Sequence, residues 1–290
     1  VLAVPDQLLH APFRGPDAVA RGLLTPRQLR GASWRRLFPG VYLHRDVEVT
    51  HAVRALAAGS LLLPDAVVTG ASAAVLWGVP LAGPDDDVEL TRWPPAHPVR
   101  VAGLRVRRAD MAERTVVRHR GVHVTTREAT AVRLAGALPL DAATAAVDQL
   151  VHVAKADLDE IRWLAGTADG PNRRRAQRAC ALADGLAASP KETELRLLLH
   201  RSALPRPLAQ HTVRQRGRFV ARVDFGWPAQ RLAVEYDGLW HRDVRQFIDD
   251  RQRLNRLTAA GWRVLFVTTA DLDRPDRVIA RVAAALAVVR

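Results

Sequence analysis

ARVDFGWPAQRLAVEYDGLWH, residues 221–241, sets three carboxylates, Asp224, Glu235 and Asp237, within two short apolar runs. The first run, Phe219-Val-Ala-Arg-Val-Asp-Phe225, alternates. A period of two puts Phe219, Ala221, Val223 and Phe225 on one strand face and Asp224 on the other. Gly226-Trp-Pro-Ala-Gln230 turns the chain. A second strand is predicted over Arg231–Asp237, with Ala233, Glu235 and Asp237 on a common face. Several acids on one sheet face cost free energy unless a cation compensates them. The stretch therefore predicts a divalent-metal site with Asp224, Glu235 and Asp237 as ligands.

Outward from that stretch, the pattern predicts an α-β-β-β-α-β-α order. Ser189-Pro-Lys-Glu192 is a helix start with a serine N-cap, proline at N1 and glutamate at N3, and the helix runs to about Ser202. Glu192 either serves the cap or lies close enough to the acidic sheet to bind the metal directly or through water, and the two roles are compatible. A β-meander is expected at about 208–215, 219–226 and 231–237. A long helix follows from about Asp243 to Ala260, with Val244, Phe247, Ile248, Leu254 and Leu257 at helical spacing. Gly261 ends it. Trp262–Thr268 is a near-continuous apolar run suited to the interior of a sheet, and a final helix is expected from Asp271 to Val289.

That order, with one acid on the second strand and an acid pair on the third, resembles the PD-(D/E)XK nuclease fold, and within it the Vsr-like endonucleases related to very short patch repair enzymes. The resemblance is carried by Ser189-Pro-x-Glu192, Pro205-x-Pro207, Val223-Asp224-Phe225, Val234-Glu235-Tyr236-Asp237-Gly238, Trp240-His241, Asp250-Arg251-x-Arg253-x3-Leu257 and Gly261-Trp-Arg-Val-Leu265. It spans nearly all of residues 189–290. It implies a restriction-endonuclease-like core that cuts phosphodiesters with Mg²⁺ or Mn²⁺. Magnesium favours hard oxygen ligands, and bound metal can activate water and compensate charge on the phosphorane and leaving oxygen. Asp237 stands where the broader family has lysine; it is a candidate ligand or base. His241 matches by position a histidine of Vsr-type enzymes and is the candidate general base or leaving-group acid; the other reading is a helix-start histidine bonded to Asp243 or the backbone. Arg251 and Arg253 are candidate phosphate contacts, Arg251 also a structural partner of Asp237 or Asp249.

Toward the N-terminus, Thr25-Pro-Arg-Gln28 offers an N-cap threonine, proline at N1 and a capping-box glutamine. A short helix is predicted before it, over Asp17–Leu24. Trp34–Leu43 reads as a two-strand wing turning at Pro39-Gly40. Helix, turn, helix and basic wing form a winged helix-turn-helix pattern. Arg27, Arg30, Arg35 and Arg36 would contact DNA or form a solvated face. Gly22-Leu-Leu-Thr-Pro-Arg-Gln-Leu-Arg30, Arg36-Leu-Phe-Pro-Gly-Val-Tyr42 and Val68-Thr-Gly-Ala-Ser-Ala-Ala-Val-Leu-Trp-Gly78 resemble the N-terminal domain of AbiEi-type antitoxins. That resemblance implies a DNA-contacting winged helix with an autoregulatory role.

Between the two ends, helices are expected at His51–Leu63, Ser72–Trp77, Thr126–Ala137, Asp141–Val153 and Asp157–Leu164, with strands at 87–91, 99–107 and 115–125. His51, His97, His119 and His123 lack ligand spacing. Gly166-Thr-Ala-Asp-Gly-Pro-Asn172 is the clearest boundary, and Arg173 opens a helix to about Ala187. The predicted organisation is a winged-helix region at 1–48, a mixed α+β middle domain at 49–170, a linker helix at 171–188 and a nuclease-like domain at 189–290.

The 290-residue chain is 48% hydrophobic, ample for buried cores. Its net charge is +13, which points to a polyanionic partner, nucleic acid being the commonest, the other reading being that the charge only keeps the chain in solution. Residues 189–290 carry 19 Lys and Arg against 11 Asp and Glu, a net +8 beside the acids. Lys155 and Lys191 are the lone lysines, as in an arginine-biased, GC-rich coding sequence. The single cysteine, Cys180, excludes disulfide frameworks and fits a reducing cytoplasm. No signal peptide is read in Val1–Pro5, and Arg54 and Asp65 break the most apolar region, so no membrane partner is expected. No small-molecule cofactor is expected. The reading is a metal-dependent DNA endonuclease or nickase. The competing reading is an antitoxin-type DNA-binding regulator with an inactive nuclease-like domain.

Overall fold

The capping box at Thr25 forms as its residues require: Gln28 N–H donates to Thr25 Oγ1 at 3.2 Å, and Thr25 N–H donates to Gln28 Oε1 at 2.7 Å. It opens a single turn, Pro26–Leu29. The computed structural model describes residues 5–238 and 244–288, with the backbone alone at 244–248. It is a mixed α/β chain with sheets of three, five and four strands. Contacts divide it into two compact units, residues 1–137 with 153–177, and residues 138–152 with 178–290.

The first unit opens with β1 (Phe13–Arg14), α1 (Gly15–Ala20), α2 (Pro26–Leu29), β2 (Trp34–Phe38) and β3 (Val41–His44). β2 and β3 form the expected antiparallel hairpin around Pro39-Gly40, and β1 adds to its far side in the order β1-β3-β2. α1 is shorter than the Asp17–Leu24 helix expected, because Gly22 takes φ +69° and breaks it. Phe13 packs edge-on against Trp34 at 4.9 Å between ring centroids, closing a small core with Leu8, Ala18 and Leu24.

α3 (His51–Ala57) continues as a π-helical turn, Ala58–Leu62, so the helix expected over 51–63 changes pitch midway. β4 (Val67–Val68), α4 (Gly70–Leu76), β5 (Val88–Arg92), β6 (Leu104–Arg108), β7 (Val116–His119), β8 (Val122–Thr125) and α5 (Arg127–Ala137) follow. The strands order as β6-β5-β4-β8-β7. The two-residue β4, too short to show a period in sequence, lies at the centre of this sheet. The single strand expected at 115–125 folds into the β7–β8 hairpin. Its turn, Arg120-Gly121, has both φ positive (51° and 86°), the geometry that matches strand twist. α6 (Leu140–His152) belongs to the second unit, and α7 (Leu158–Thr167) returns to the first. α7 is N-capped by Asp157, whose carboxylate accepts from the N–H groups of Asp159 and Glu160. α8 (Arg173–Leu182) ends earlier than the Ala187 expected.

The second unit contains α6, α9 (Pro190–Arg201), β9 (Leu208–Gln215), β10 (Arg218–Trp227), β11 (Leu232–Tyr236), α10 (Val244–Ala259), β12 (Arg263–Val267), α11 (Thr269–Leu272) and α12 (Pro275–Ala287). From α9 onward this is the expected α-β-β-β-α-β-α order, with the last helix divided at Arg274-Pro275 where proline starts a new first turn. The sheet order is β12-β11-β10-β9, antiparallel except for the parallel β11–β12 pair that α10 connects. β12 is therefore an edge strand and not the interior strand that its apolar run predicted; Phe266 is 37% exposed on it.

The alternation expected in β10 is also corrected. A register shift between Phe219 and Ala221 marks a bulge at Val220. A bulge inserts one residue and re-aims the side chains on either side. Phe219 is 63% exposed while Val220 is buried. Ala221 and Val223 pack with Val213, Ala233 and Leu257, whereas Phe225 joins Leu195, Leu199, Val234 and Val278. The four expected face-mates thus divide among solvent and two cores. The side chains of Val244, Phe247 and Ile248, and the end of the last helix at Val289, lie outside the described residues.

α6 is held to α9 by a buried polar network. Asp148 is fully buried. Its Oδ2 accepts from Arg196 Nη2 and from Thr193 Oγ1, both at 2.7 Å. Its Oδ1 accepts from Asp184 N–H at 2.9 Å and Gly185 N–H at 2.8 Å. Arg196 Nη1 donates to Leu182 O at 2.8 Å, and Nε lies 3.2 Å from Asp184 Oδ2, too bent for a hydrogen bond. Gly185 has φ +69°, and a Cβ there would fall 2.3 Å from Val151 Cγ1. Gly185→Ala is therefore expected to lower stability by about 2 kcal/mol, from left-handed strain and overpacking together. Urea unfolding should show a lower midpoint with an unchanged m-value.

Candidate functional site

Three carboxylates lie near one another, each delivered by a different element, with Asp224 the common neighbour of Glu192 and Glu235. Glu192 comes from the first turn of α9, Asp224 from β10 and Glu235 from β11. The β10–β11 register pairs Phe225 with Val234, so Asp224 and Glu235 are the next cross-strand neighbours. Asp224 Oδ2 accepts from Tyr236 N–H at 2.9 Å, which fixes that carboxylate against β11. Its Oδ1 lies 3.4 Å from Gln210 Nε2. The same nitrogen is 3.3 Å from Glu192 Oε2. One amide group thus spans two carboxylates.

Glu192 serves the cap, and its carboxylate also lies beside the acidic sheet. Its N–H donates to Ser189 Oγ at 3.2 Å, Ser189 Oγ donates to Glu192 Oε1 at 3.0 Å, and Ala188 N–H donates to Oε2 at 2.9 Å. The cap thereby holds the carboxylate against β9 and β10.

Gln210 carries no mark in the sequence. It lies on the edge strand β9 between Ala209 and His211, which pair with Phe225 and Val223 and leave it across from Asp224. Its φ is +48°, a conformation that costs a non-glycine residue on the order of 1 kcal/mol or more. Such strain recurs at sites where the surroundings over-determine a side chain. The signal exists only as register, which the bulge in β10 conceals.

Glu235 is buried and engaged differently. Arg253 of α10 donates to it through both terminal nitrogens, Nη1 to Oε1 at 2.9 Å and Nη2 to Oε2. Arg253 Nη1 also donates to Arg222 O at 3.1 Å. This fork-to-fork pair neutralises Glu235 from within the protein.

Burial dominates the electrostatics. It pushes the Glu192 carboxyl above the usual carboxylate range, and the Asp224 charge adds to the shift. It pushes Asp224 up as well, against the Tyr236 N–H and the Gln210 amide. It pushes Glu235 up, with Arg253 opposing. Three neighbouring acids that resist ionisation are a costly arrangement for a purely structural sheet.

Asp237 follows β11, half-buried, and its N–H donates to Val267 O at 2.8 Å. Among the described residues, no group of three or more His, Cys, Asp and Glu converges as a ready ligand set. The geometry gives the reason: Asp224 and Glu192 are separated by the Gln210 amide, and Glu235 is turned onto Arg253. His241 lies outside the described residues. Arg251 is exposed on α10. In the first unit, Arg27, Arg30, Arg35 and Arg36 are all exposed.

No protein-family model matches the chain. Two curated relatives from Mycobacterium tuberculosis, "Uncharacterized protein MT2308" of strain CDC 1551 / Oshkosh and "Uncharacterized protein Rv2248" of strain ATCC 25618 / H37Rv, are each 33% identical to it over 159 residues. The match covers 53% of this chain and 58% of each relative, so the chain spans little more than half the length of the curated relatives it matches. A solved structure, the crystal structure of RV2827C protein from Mycobacterium tuberculosis, is 16% identical with a TM-score of 0.36, over 69% of this chain and 77% of that chain. No described helix is long and apolar enough to cross a membrane.

Proposed function

We propose that the protein is a metal-dependent DNA endonuclease or nickase. In this proposal the second unit is a restriction-endonuclease-like, Vsr-type core, and the N-terminal hairpin with α1 and α2 is a winged helix that positions it on DNA in the cytoplasm. The observation that carries the reading is the meeting of Glu192, Asp224 and Glu235, each destabilised as a carboxylate by burial, across α9, β10 and β11.

The donor chemistry fits Mg²⁺ or Mn²⁺. Every candidate ligand offers hard oxygen, and the raised carboxyls are the groups that a nearby cation would relieve. Asp224 and Glu235 would hold the ion, with Glu192 and Asp237 as neighbouring oxygen donors. Bound there, the metal would supply activation of water and charge compensation at the phosphorane. The protein supplies the rest. Tyr236 N–H fixes one oxygen of Asp224 and Gln210 restrains the other. Arg253 balances the charge of Glu235. Arg251 is a phosphate contact in this proposal, and His241 is the proton-transfer group.

Supercoiled plasmid tests the reading. Wild type with Mg²⁺ or Mn²⁺ should yield nicked or linear DNA, while Asp224→Ala and Glu235→Ala leave the plasmid supercoiled. Identical behaviour of all three proteins across both metals and several DNA forms would overturn it.

The forked Glu235–Arg253 pair favours one alternative. An acid neutralised by an internal arginine suits an antitoxin-type DNA-binding regulator that keeps the nuclease-like scaffold without its chemistry. That reading expects wild-type protein to retard DNA in a gel without cutting it, with Asp224→Ala retarding it equally.

A further inference from the structure

Outside the acidic cluster, the first unit contains a cavity of about 720 Å³ beneath α5. It lies between the end of β6, the face of α5 and the start of α8. Small-molecule sites commonly fall in the range of about 300–1,000 Å³. Arg107, Arg133 and Arg173 all line it. Arg107 and Arg173 are exposed toward solvent, and Arg133 is half-buried. Among the described residues, none of the three guanidinium groups has a hydrogen bond or ion pair.

Arg133 is the unusual member. Its burial and the neighbouring charge of Arg107 both push its guanidinium below the ordinary arginine range. Glu89 opposes this only at a distance and makes its own ion pair with Arg105 at 3.9 Å. Two adjacent cations, one of them desolvated and unpaired, are unfavourable in the free protein. An anion between them reverses that sign, and a planar guanidinium fork suits phosphate oxygens. Two carboxylates, Asp110 and Asp169, also line the cavity, but both are exposed at its rim.

The remaining wall combines apolar surface at Met111, Val132 and Leu164 with the polar side chains of Thr69, Thr115, Thr125 and Asn172. The loop carrying Met111 is pinned by Trp93, whose Nε1 donates to Met111 O at 3.1 Å. A bare inorganic anion would leave that surface unused.

We propose that this cavity binds an organic phosphate monoester of nucleotide size, its phosphate held between Arg107 and Arg133 and its organic part lying against Met111, Val132 and Leu164. The ligand is either a free nucleotide or the 5′-phosphorylated end of a strand, which share this chemistry. The site is independent of the metal-dependent reaction proposed for the second unit.

Calorimetric titration of the full chain with 5′-dAMP, deoxyadenosine and inorganic phosphate tests it. 5′-dAMP should bind one site per chain, with deoxyadenosine and inorganic phosphate each at least about tenfold weaker. Arg133→Met should weaken 5′-dAMP binding about 10–100-fold, the scale of a lost charged hydrogen bond, yet raise the thermal midpoint of the free protein, because an unpaired buried cation is gone. That opposite movement separates ligand recognition from a structural role. Arg107→Gln, on the exposed side, should weaken binding about tenfold and raise the midpoint slightly by relieving the repulsion on Arg133, and decides the matter if Arg133→Met lowers the midpoint. A 5′-phosphorylated trinucleotide binding as tightly as 5′-dAMP identifies a strand end, and tenfold weaker binding identifies a free nucleotide. Equal affinity for 5′-dAMP and deoxyadenosine, unaltered 5′-dAMP affinity in both variants, or no binding at millimolar concentration would overturn the proposal.

Discussion

Asp224→Asn is expected to lower the proposed metal-dependent DNA cleavage by at least about 10²-fold, the scale of losing one preorganised electrostatic group, and at the same time to raise the thermal midpoint of the metal-free protein. The substitution preserves shape. The side-chain carbonyl of the new amide can still accept from Tyr236 N–H, and Gln210 Nε2 keeps its contact with Glu192 Oε2. What is lost is a charge. Burial raises the Asp224, Glu192 and Glu235 carboxyls above their unfolded values. Over the interval between unfolded and folded values the native state therefore binds more protons, and stability falls as pH rises through it. The contribution of these groups is fully present below the ordinary carboxylate range and is lost as pH rises through their raised folded values. The midpoint of Asp224→Asn should thus match wild type in acid and exceed it once the pH has passed the raised folded value of Asp224. A gain of about 1 kcal/mol corresponds to roughly 2–4 °C in a chain of this class. A variant less stable than wild type at every pH would contradict the strained-acid account, whatever its activity.

Asp148→Ala is expected to be among the most destabilising single changes in the second unit, at about 3–5 kcal/mol, the cost of stranding one partner of a buried ion pair. The carboxylate accepts four hydrogen bonds, and its removal leaves Arg196, Thr193 and two backbone N–H groups without their acceptor. Asp184, 3.2 Å from Arg196 Nε, offsets part of the charge but is itself pushed above the usual carboxylate range by burial. Since α9 also carries Glu192, loosening the α6–α9 contact should weaken the acidic cluster. Chemical denaturation measures the stability loss. The paired change Asp148→Leu with Arg196→Met should recover only the part due to the stranded guanidinium, since Thr193 and the Asp184 and Gly185 N–H groups stay without an acceptor.

How far the sequence reads is set by which forces are local. The caps at Thr25 and Ser189, the α-β-β-β-α-β-α order and the β2–β3 hairpin follow from short-range chemistry, and the structure shows them. The bulge at Val220, the two-residue β4 and the edge position of β12 are decided by partners distant in sequence, which periodicity does not register. The site shows the same division. Asp224 and Glu235 stand out as acids among apolar neighbours, and the serine cap marks Glu192. Gln210 and the engagement of Arg253 with Glu235 become visible only once β9, β10, β11 and α10 are placed together. Asp148 looks in sequence like any polar residue on an amphipathic helix, although it is the polar centre of the α6–α9 contact. The cavity arginines are equally silent, because Arg107, Arg133 and Arg173 come from three separate elements of an arginine-rich chain.

If the acids around β10 and β11 form a divalent-cation site, titration calorimetry with Mn²⁺ near neutral pH tests it most directly, free of any question of DNA substrate. Wild type should bind Mn²⁺ with saturable heat and gain about 2.7 kcal/mol of stability at a hundredfold excess over its dissociation constant. Asp224→Asn should lose the binding heat and the stabilisation together. Mn²⁺ heats and midpoint shifts that are the same in wild type and Asp224→Asn would contradict the account.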